Sequence, residues 1–207
     1  MSSPSPTPPP AVADDLRAAR RGDAAAWGRL LDRFRPYLLL LAEVQVGKRL
    51  RGKADPADLV QEAALQAHRG FAGFRGATEA EFVEWLHAIL ADRLAKLVRR
   101  YHGTQARDPR LERSLTEAVA DSSRLLDRVL VDPGTSPSGR AAAREEVVRV
   151  AAALDRLPAD HKRVIVLRQL EGLPFAEVGA SMGRSADAAT QLWVRAIRGL
   201  REALGPP

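Results

Sequence analysis

The chain has 207 residues, no cysteine, and 32 Lys and Arg against 26 Asp and Glu, a formal net charge of +6 with a pI near 10.4. That length allows two small domains and a linker, and the lack of cysteine excludes disulfides, thiolate metal sites and a cysteine nucleophile. The positive balance points to a polyanionic partner, an argument about association rather than fold.

Ala, Leu, Arg and Glu dominate, and their side chains lose little rotamer freedom in helices. No segment alternates with period two between hairpin turns, so the expected fold class is all-α. The charge is unevenly placed: Leu16–Lys53 has a net +7, Ala54–Ala88 a net −4 and Ile89–Arg110 a net +4. An acidic element between two basic ones suggests two different partners.

In chain order, Met1–Pro10 is Ser/Pro-rich with neither a charged n-region nor an apolar h-region. Residues 1–13 are expected to form a disordered tail rather than a signal peptide. A helical stretch begins near Asp14, with Leu16, Trp27, Leu30, Leu31, Phe34, Leu38 and Leu41 on or near one face. Pro36 should kink or divide it. The apolar run Leu38–Ala42 is far shorter than the roughly 20 residues that cross a bilayer, so a cytoplasmic protein is expected. The basic run Lys48–Lys53 reads as a loop.

Asp55-Pro56 opens the next helix, Asp as cap and Pro in the first turn, and Leu59, Ala63 and Ala67 mark its inner face up to Gly70. A Gly/Phe-rich loop, Gly70–Gly76, follows. Thr78 and Glu81 form a capping-box pattern, and Phe82, Leu86, Ile89, Leu90, Leu94, Leu97 and Tyr101 supply the apolar stripe of a longer helix. Residues 103–144 read as a flexible linker with one short amphipathic stretch near Leu125–Val131. Four further helices follow within 145–204: one through Val147, Val150 and Leu154, one through Val164, Leu167 and Leu170, a short one over Pro174–Met182, and a last one carrying Ala189, Trp193, Ala196, Leu200 and Leu204.

Several enzyme-like patterns fail on context. Gly179-Ala180-Ser181-Met182-Gly183 matches a nucleophile elbow, but that motif needs a strand before it. Glu84-Trp85-Leu86-His87 matches half of a di-iron motif without its second copy, so His87 is expected at the surface or facing DNA. His68, His102 and His161 lack ligand spacing, and Gly47-Lys48 lacks the rest of a phosphate loop. No catalytic, cofactor or metal constellation emerges.

Two positive signals remain. A short helix, a Gly-containing turn and a longer helix at the C-terminus make a helix-turn-helix. Small Gly179 lets its helices approach, and Ser185 caps the second, leaving free N–H groups toward phosphate. Arg184, Asp187, Ala188, Thr190 and Gln191 project where base edges are read, while Arg195 and Arg198 reach the backbone. The other signal is a basic stripe, Arg93, Lys96 and Arg100 broadened by Arg99, on the helix after Phe71 and Phe74; aromatics beside positive charge suit unstacked bases.

These residues resemble the extracytoplasmic-function group of the sigma-70 family. Asp55-Pro56-Ala57-Asp58-Leu59-Val60-Gln61-Glu62 is similar to the helix that docks on the clamp of RNA polymerase. The resemblance thus implies polymerase binding by Asp55, Asp58, Leu59, Gln61 and Glu62. Phe71–Arg75 and Trp85–Leu94 resemble the loop and helix that melt and hold the −10 element, which adds Arg75, Trp85, His87 and Asp92 to Phe71, Phe74, Arg93, Lys96 and Arg100. Asp92 stands where the family often has Asn. Leu157–Arg168, Glu171–Gly179 and Arg195–Arg201 resemble the module that reads the −35 element, its front here carrying Asp187, Ala188 and Thr190 where basic residues are frequent.

The resemblance implies two small helical domains, 14–102 and 145–204, joined by a flexible linker. It implies a non-enzymatic, monomeric factor that binds core polymerase and promoter DNA without cofactor or membrane, and that an anti-sigma factor would regulate. The alternative is a stand-alone helix-turn-helix regulator whose N-terminal half senses a signal or dimerises, with palindromic sites. A helical enzyme using Ser181 or His87 is a distant third.

Overall fold

A computed structural model describes residues 11–50, 53–102, 113–122 and 137–205, and all regular structure among them is helical. The tail 1–10, the stretch near Leu125–Val131, and Arg51 and Gly52 of the expected basic loop lie outside the described residues. Helix α1 (Val12–Arg20) starts two residues earlier than expected because Val12 is buried in the core. The chain then turns at Gly22, whose φ of +90° suits glycine. Asp23 caps α2 (Ala24–Arg49) by accepting from the N–H groups of Ala25 and Ala26.

The expected break at Pro36 does not occur. α2 runs through it and on through Lys48 and Arg49, which sequence reading places in a loop. Proline costs one hydrogen bond there, but this helix is held by packing. Tyr37, Leu38, Leu40, Leu41, Ala42, Val44 and Val46 are all buried, and a helix apolar nearly all round belongs in the middle of a fold. α2 packs against α1, α3 (Pro56–Gly70), α4 (Glu79–His102) and α6 (Pro137–Asp155).

The start of α3 is as expected, with Asp55 accepting from the Ala57 N–H at 2.8 Å. A 3-10 turn, Phe71–Gly73, leads to α4, whose capping box forms: the Glu81 N–H donates to Thr78 Oγ1 (3.2 Å) and the Thr78 N–H to Glu81 Oε2 (3.0 Å). Tyr101, expected on the apolar stripe, is 44% exposed. Within the expected linker, residues 113–122 form a helix, α5, that docks on α2. Leu115 and Val119 are buried, and buried Gln45 donates to the Ala118 carbonyl (3.0 Å) and the Ser122 hydroxyl (2.5 Å).

The C-terminal unit comprises α6, α7 (Ala159–Ile165) continuing into one wide turn at Val166–Leu170, α8 (Phe175–Ser181) and α9 (Ala186–Leu204). α6 begins at Pro137, eight residues before the expected boundary. Its Val147, Val148, Val150, Ala151, Ala153 and Leu154 are all buried, a band of roughly 220° at 100° per residue. One face packs on α9, and another on α2. The two helical units therefore pack directly together, which sequence reading does not anticipate.

Candidate nucleic-acid interface

The helix-turn-helix is α8, the turn 182–185 and α9. Gly183 takes a φ of +65°, and the Arg184 N–H donates back to the Gly179 carbonyl at 2.8 Å. A Cβ on Gly179 would lie 2.7 Å from the Arg184 carbonyl oxygen and 2.9 Å from Ser185 backbone atoms, so only glycine permits this approach. Ser185 Oγ accepts from the Ala188 N–H at 3.2 Å. The inner face of α9 is Ala189, Leu192, Ala196 and Leu200; Leu192, one residue before the expected Trp193, takes the deeper position, and Trp193 is half-buried.

The outer face of α9 carries exposed Asp187, Gln191, Val194, Arg195 and Arg198, with Ala188 and Thr190 at its edge. Thr190 Oγ1 donates to its own helix, to the Ala186 carbonyl at 2.9 Å. Arg184 does not project alone: it pairs with Asp160 of α7 at 2.5 Å. Val194, 47% exposed, was missed in the sequence. Its signal was the spacing of three from Gln191, and an apolar group there suits contact with a thymine methyl.

The second group surrounds the turn at Phe71–Gly73. Trp27, Phe71, Phe74, Phe82 and Trp85 form one aromatic cluster, with Phe74 stacked on Trp85 at 4.9 Å and Trp27 against Phe71 at 4.5 Å. Phe74 is buried and therefore belongs to the core, its outer side covered by the Arg20 guanidinium 5.6 Å from the ring centre. Phe71 and Trp85 are half-buried, and Arg75 is exposed. An open cleft of about 590 Å3 lies between Arg20, Trp27, His68, Phe71 and Arg75. His87, expected at the surface or facing DNA, is instead buried, its Nε2 2.9 Å from the Tyr37 hydroxyl. Polar and apolar neighbours share α4, so spacing alone did not reveal which side the ring takes.

The basic stripe on α4 is partly neutralised. Asp92 Oδ2 accepts from Arg93 and from Lys96, each at 2.8 Å, leaving Arg100 exposed a turn further on. Burial pushes the Asp92 carboxyl up, but the Lys96 hydrogen bond and the charges of Lys96 and Arg93 outweigh it and hold it below the usual range. Asp92 stays ionised and orients both cations.

The third group lies on α3. Asp55, Asp58, Gln61, Glu62 and Leu65 are exposed, the last at 52%, while Leu59 is buried with Val60 and Ala63. Asp58, Gln61, Glu62 and Leu65 share one face by their spacing. Leu59 holds that face to the core instead of contributing to it, and Leu65 is a surface residue sequence reading missed. Among the described residues no three His, Cys, Asp or Glu side chains converge as metal ligands, and no helix is long and apolar enough to cross a membrane. Ser181 closes α8, with no strand before it.

The family described as Sigma-70, region 4 matches residues 153–202, the span from the end of α6 through α9. The chain is 28% identical over 173 residues to the ECF RNA polymerase sigma-E factor of Haemophilus influenzae, covering 81% of each. It is 27% identical over 171 residues to that of Escherichia coli, covering 81% of this chain and 80% of that one. It is 26% identical over 181 residues to the ECF RNA polymerase sigma factor SigD of Mycobacterium tuberculosis, covering 87% and 78%. Among solved structures it is similar to a chain of the RsbN–BldN complex, at 25% identity and a TM-score of 0.30, covering 89% of this chain and 96% of that one.

Proposed function

We propose that the chain, similar to ECF RNA polymerase sigma factors over most of its length and matching Sigma-70, region 4 at residues 153–202, works as an alternative sigma factor of the extracytoplasmic-function group whose three exposed surfaces divide the labour of initiation. The observation that carries this reading is the outer face of α3. In a chain of net charge +6, Asp58, Gln61 and Glu62 form an exposed acidic strip around Leu65. Such a face repels nucleic acid and fits a protein partner with basic groups around an apolar recess. We assign it to core polymerase, with Asp55 holding the start of the helix.

The −10 strand is assigned to the cleft beside Phe71 and Arg75 and to Lys96 and Arg100 on α4. A base leaving the stack needs an aromatic surface and nearby cations, and half-buried Phe71 between exposed Arg20 and Arg75 offers both. Phe74 and Trp85 support this surface from behind, while His87 is turned to Tyr37 in the core; Arg93 and Lys96 are oriented by Asp92. The −35 duplex is assigned to α9, where Asp187, Gln191 and Val194 face base edges and Arg195 and Arg198 meet phosphates, Ser185 capping the helix. The protein itself makes and breaks no bond; the polymerase supplies the chemistry.

Run-off transcription with purified core polymerase tests the reading. Initiation above core alone is expected, and none would refute it. Asp58→Arg should abolish co-elution with core polymerase while leaving the far-ultraviolet circular dichroism spectrum unchanged; undiminished co-elution would refute the assignment of α3.

A further inference from the structure

The front of α9 is short of available positive charge, and the groups that stand there instead are selective in what they can bond. Arg184, the cation beside the start of the helix, is drawn back to Asp160 of α7. The Thr190 hydroxyl gives its proton to the Ala186 carbonyl at 2.9 Å, and Ala188 carries only a methyl. Three side chains are left to face a groove. Asp187 and Gln191 are exposed and make no side-chain hydrogen bond or ion pair among the described residues, and Val194 is an exposed apolar side chain beside them. At 100° per residue these three lie within about 60° of one another. Buried Ala189, Leu192, Ala196 and Leu200 occupy the opposite side.

Each of the three suits only some base edges. As a carboxylate, Asp187 offers acceptors and no donor. In the major groove the donors are the amino groups of cytosine and adenine, whereas guanine presents two acceptors and thymine one. Adenine's amino group sits beside its own N7 acceptor, which leaves cytosine as the base best matched to a carboxylate. Gln191 has a donor and an acceptor to pair with adenine N7 and N6, and Val194 fits the thymine methyl. Asp187 and Val194 are seven residues apart, about 10 Å of helix and so about three base-pair steps. The three contacts therefore fall within one short run of the duplex.

Resting on the assignment of α9 to the −35 duplex, we propose that Asp187 is a specificity residue that works by exclusion: it requires a cytosine amino group and rejects guanine, beside an adenine read by Gln191 and a thymine read by Val194. Its carboxylate repels the phosphate backbone whatever the sequence, so it weakens binding everywhere and regains it only where cytosine donates. A repulsive group of this kind sharpens discrimination between sites more than it raises affinity for any one of them. Exposed Arg195 and Arg198, further along α9, supply the attraction that keeps the helix in the groove.

The test uses the full chain bound to core polymerase and a promoter library randomised across the −35 position, with the bound fraction sequenced. Wild type should enrich cytosine over guanine at one position by about tenfold, with adenine and thymine enriched close by. Asp187→Ala should lose the cytosine preference at that position alone. On duplexes carrying guanine there, it should bind about twofold or more tighter than wild type by fluorescence anisotropy. Asp187→Asn, whose amide adds a donor, should move the preferred base from cytosine to adenine, a change of identity that misfolding cannot produce. Val194→Ser should flatten the thymine position only.

An Asp187→Ala or Asp187→Asn holoenzyme with the wild-type base profile overturns the inference. So does a loss of affinity that is uniform across the library, because a carboxylate serving only the helix N-terminus would give that result. A wild type that initiates in run-off transcription but shows no position where cytosine is preferred overturns the inference and leaves the sigma reading intact. A wild type that neither initiates nor enriches any sequence overturns both.

Discussion

Gly179 and Gly199 lie in helices of the same unit, and replacing each with alanine should move stability in opposite directions. In a helix interior, glycine to alanine gains about 1 kcal/mol from backbone entropy alone. At Gly199 nothing opposes that gain: the new Cβ would meet Leu157 Cδ2 at 3.6 Å and His161 Nδ1 at 4.0 Å, ordinary contacts. Gly199→Ala should therefore stabilise by about 0.5–1 kcal/mol. At Gly179 the new Cβ would strike backbone atoms of Arg184 and Ser185 at 2.7–2.9 Å. That turn is tied down by the Arg184 N–H bond to the Gly179 carbonyl and by the Ser185 cap. Overpacking against such a wall costs about 1–3 kcal/mol, and a disturbed cap adds about 1. Against the helix gain, Gly179→Ala should be destabilised by about 1–3 kcal/mol. Urea unfolding followed by circular dichroism and tryptophan fluorescence measures both. A Gly179→Ala chain as stable as wild type would refute the close approach, and a Gly199→Ala chain that loses stability would refute the arithmetic. The functional echo is that Gly179→Ala should also weaken binding to a −35 duplex, since the α8–α9 approach places Gln191 and Arg195.

Other expectations follow from single contacts. Ser185→Ala removes the cap on α9 and should cost about 1 kcal/mol in the same unfolding assay, whereas Ser185→Asp should retain it. Arg198→Ala should weaken duplex binding about equally for all sequences and lower the slope of log affinity against log salt by about 0.9, measured by fluorescence anisotropy; a change confined to one base position would contradict a phosphate contact. Glu81 is held below the usual carboxylate range first by the Thr78 hydroxyl and then by the Ala77 and Thr78 N–H groups. Its linked stability is present above the ordinary value of 4.5 and is lost as pH falls through the lowered one. Wild type minus Glu81→Gln should therefore show a stability difference that shrinks on acidification, and a difference flat across that range would remove the capping box as its cause.

The elements legible in the sequence were those whose ends are marked chemically. Asp55-Pro56 fixed the start of α3, Thr78 with Glu81 that of α4, and Gly183 with Ser185 the turn of the helix-turn-helix, because each supplies a cap or a backbone conformation that few other residues can. Pro36 misled because its local cost is overcome by burial on every side of α2, a tertiary fact. Gly22, which does break the chain, looked ordinary. The site was half legible for the same reason. Phe74 and His87 carry residue types that suit either a core or a nucleic-acid surface, and helical spacing cannot say which neighbour a ring meets. Leu65 and Val194 were passed over because apolar residues on a helix are read as core by default. α5 and the second face of α6 were invisible, since each is defined by packing on α2 and not by a stripe of its own.

The arrangement of charge bears on why the proposed function would call on all three surfaces. On α9 the front offers Asp187, Gln191 and Val194, its cationic reach is Arg195 and Arg198, and Arg184 is engaged by Asp160. On α4 Asp92 holds two of the cations. With so many of their cations engaged within the protein, each of the proposed DNA surfaces alone would draw little affinity from counterion release. Specific binding then depends on holding both surfaces at fixed positions, which converts the second contact into an intramolecular one. On the proposed assignment, the acidic face of α3 would provide that hold by fastening the chain to the polymerase. Weak DNA surfaces and an acidic docking face are consistent with one another under that assignment, since promoter affinity would then arise after polymerase is bound.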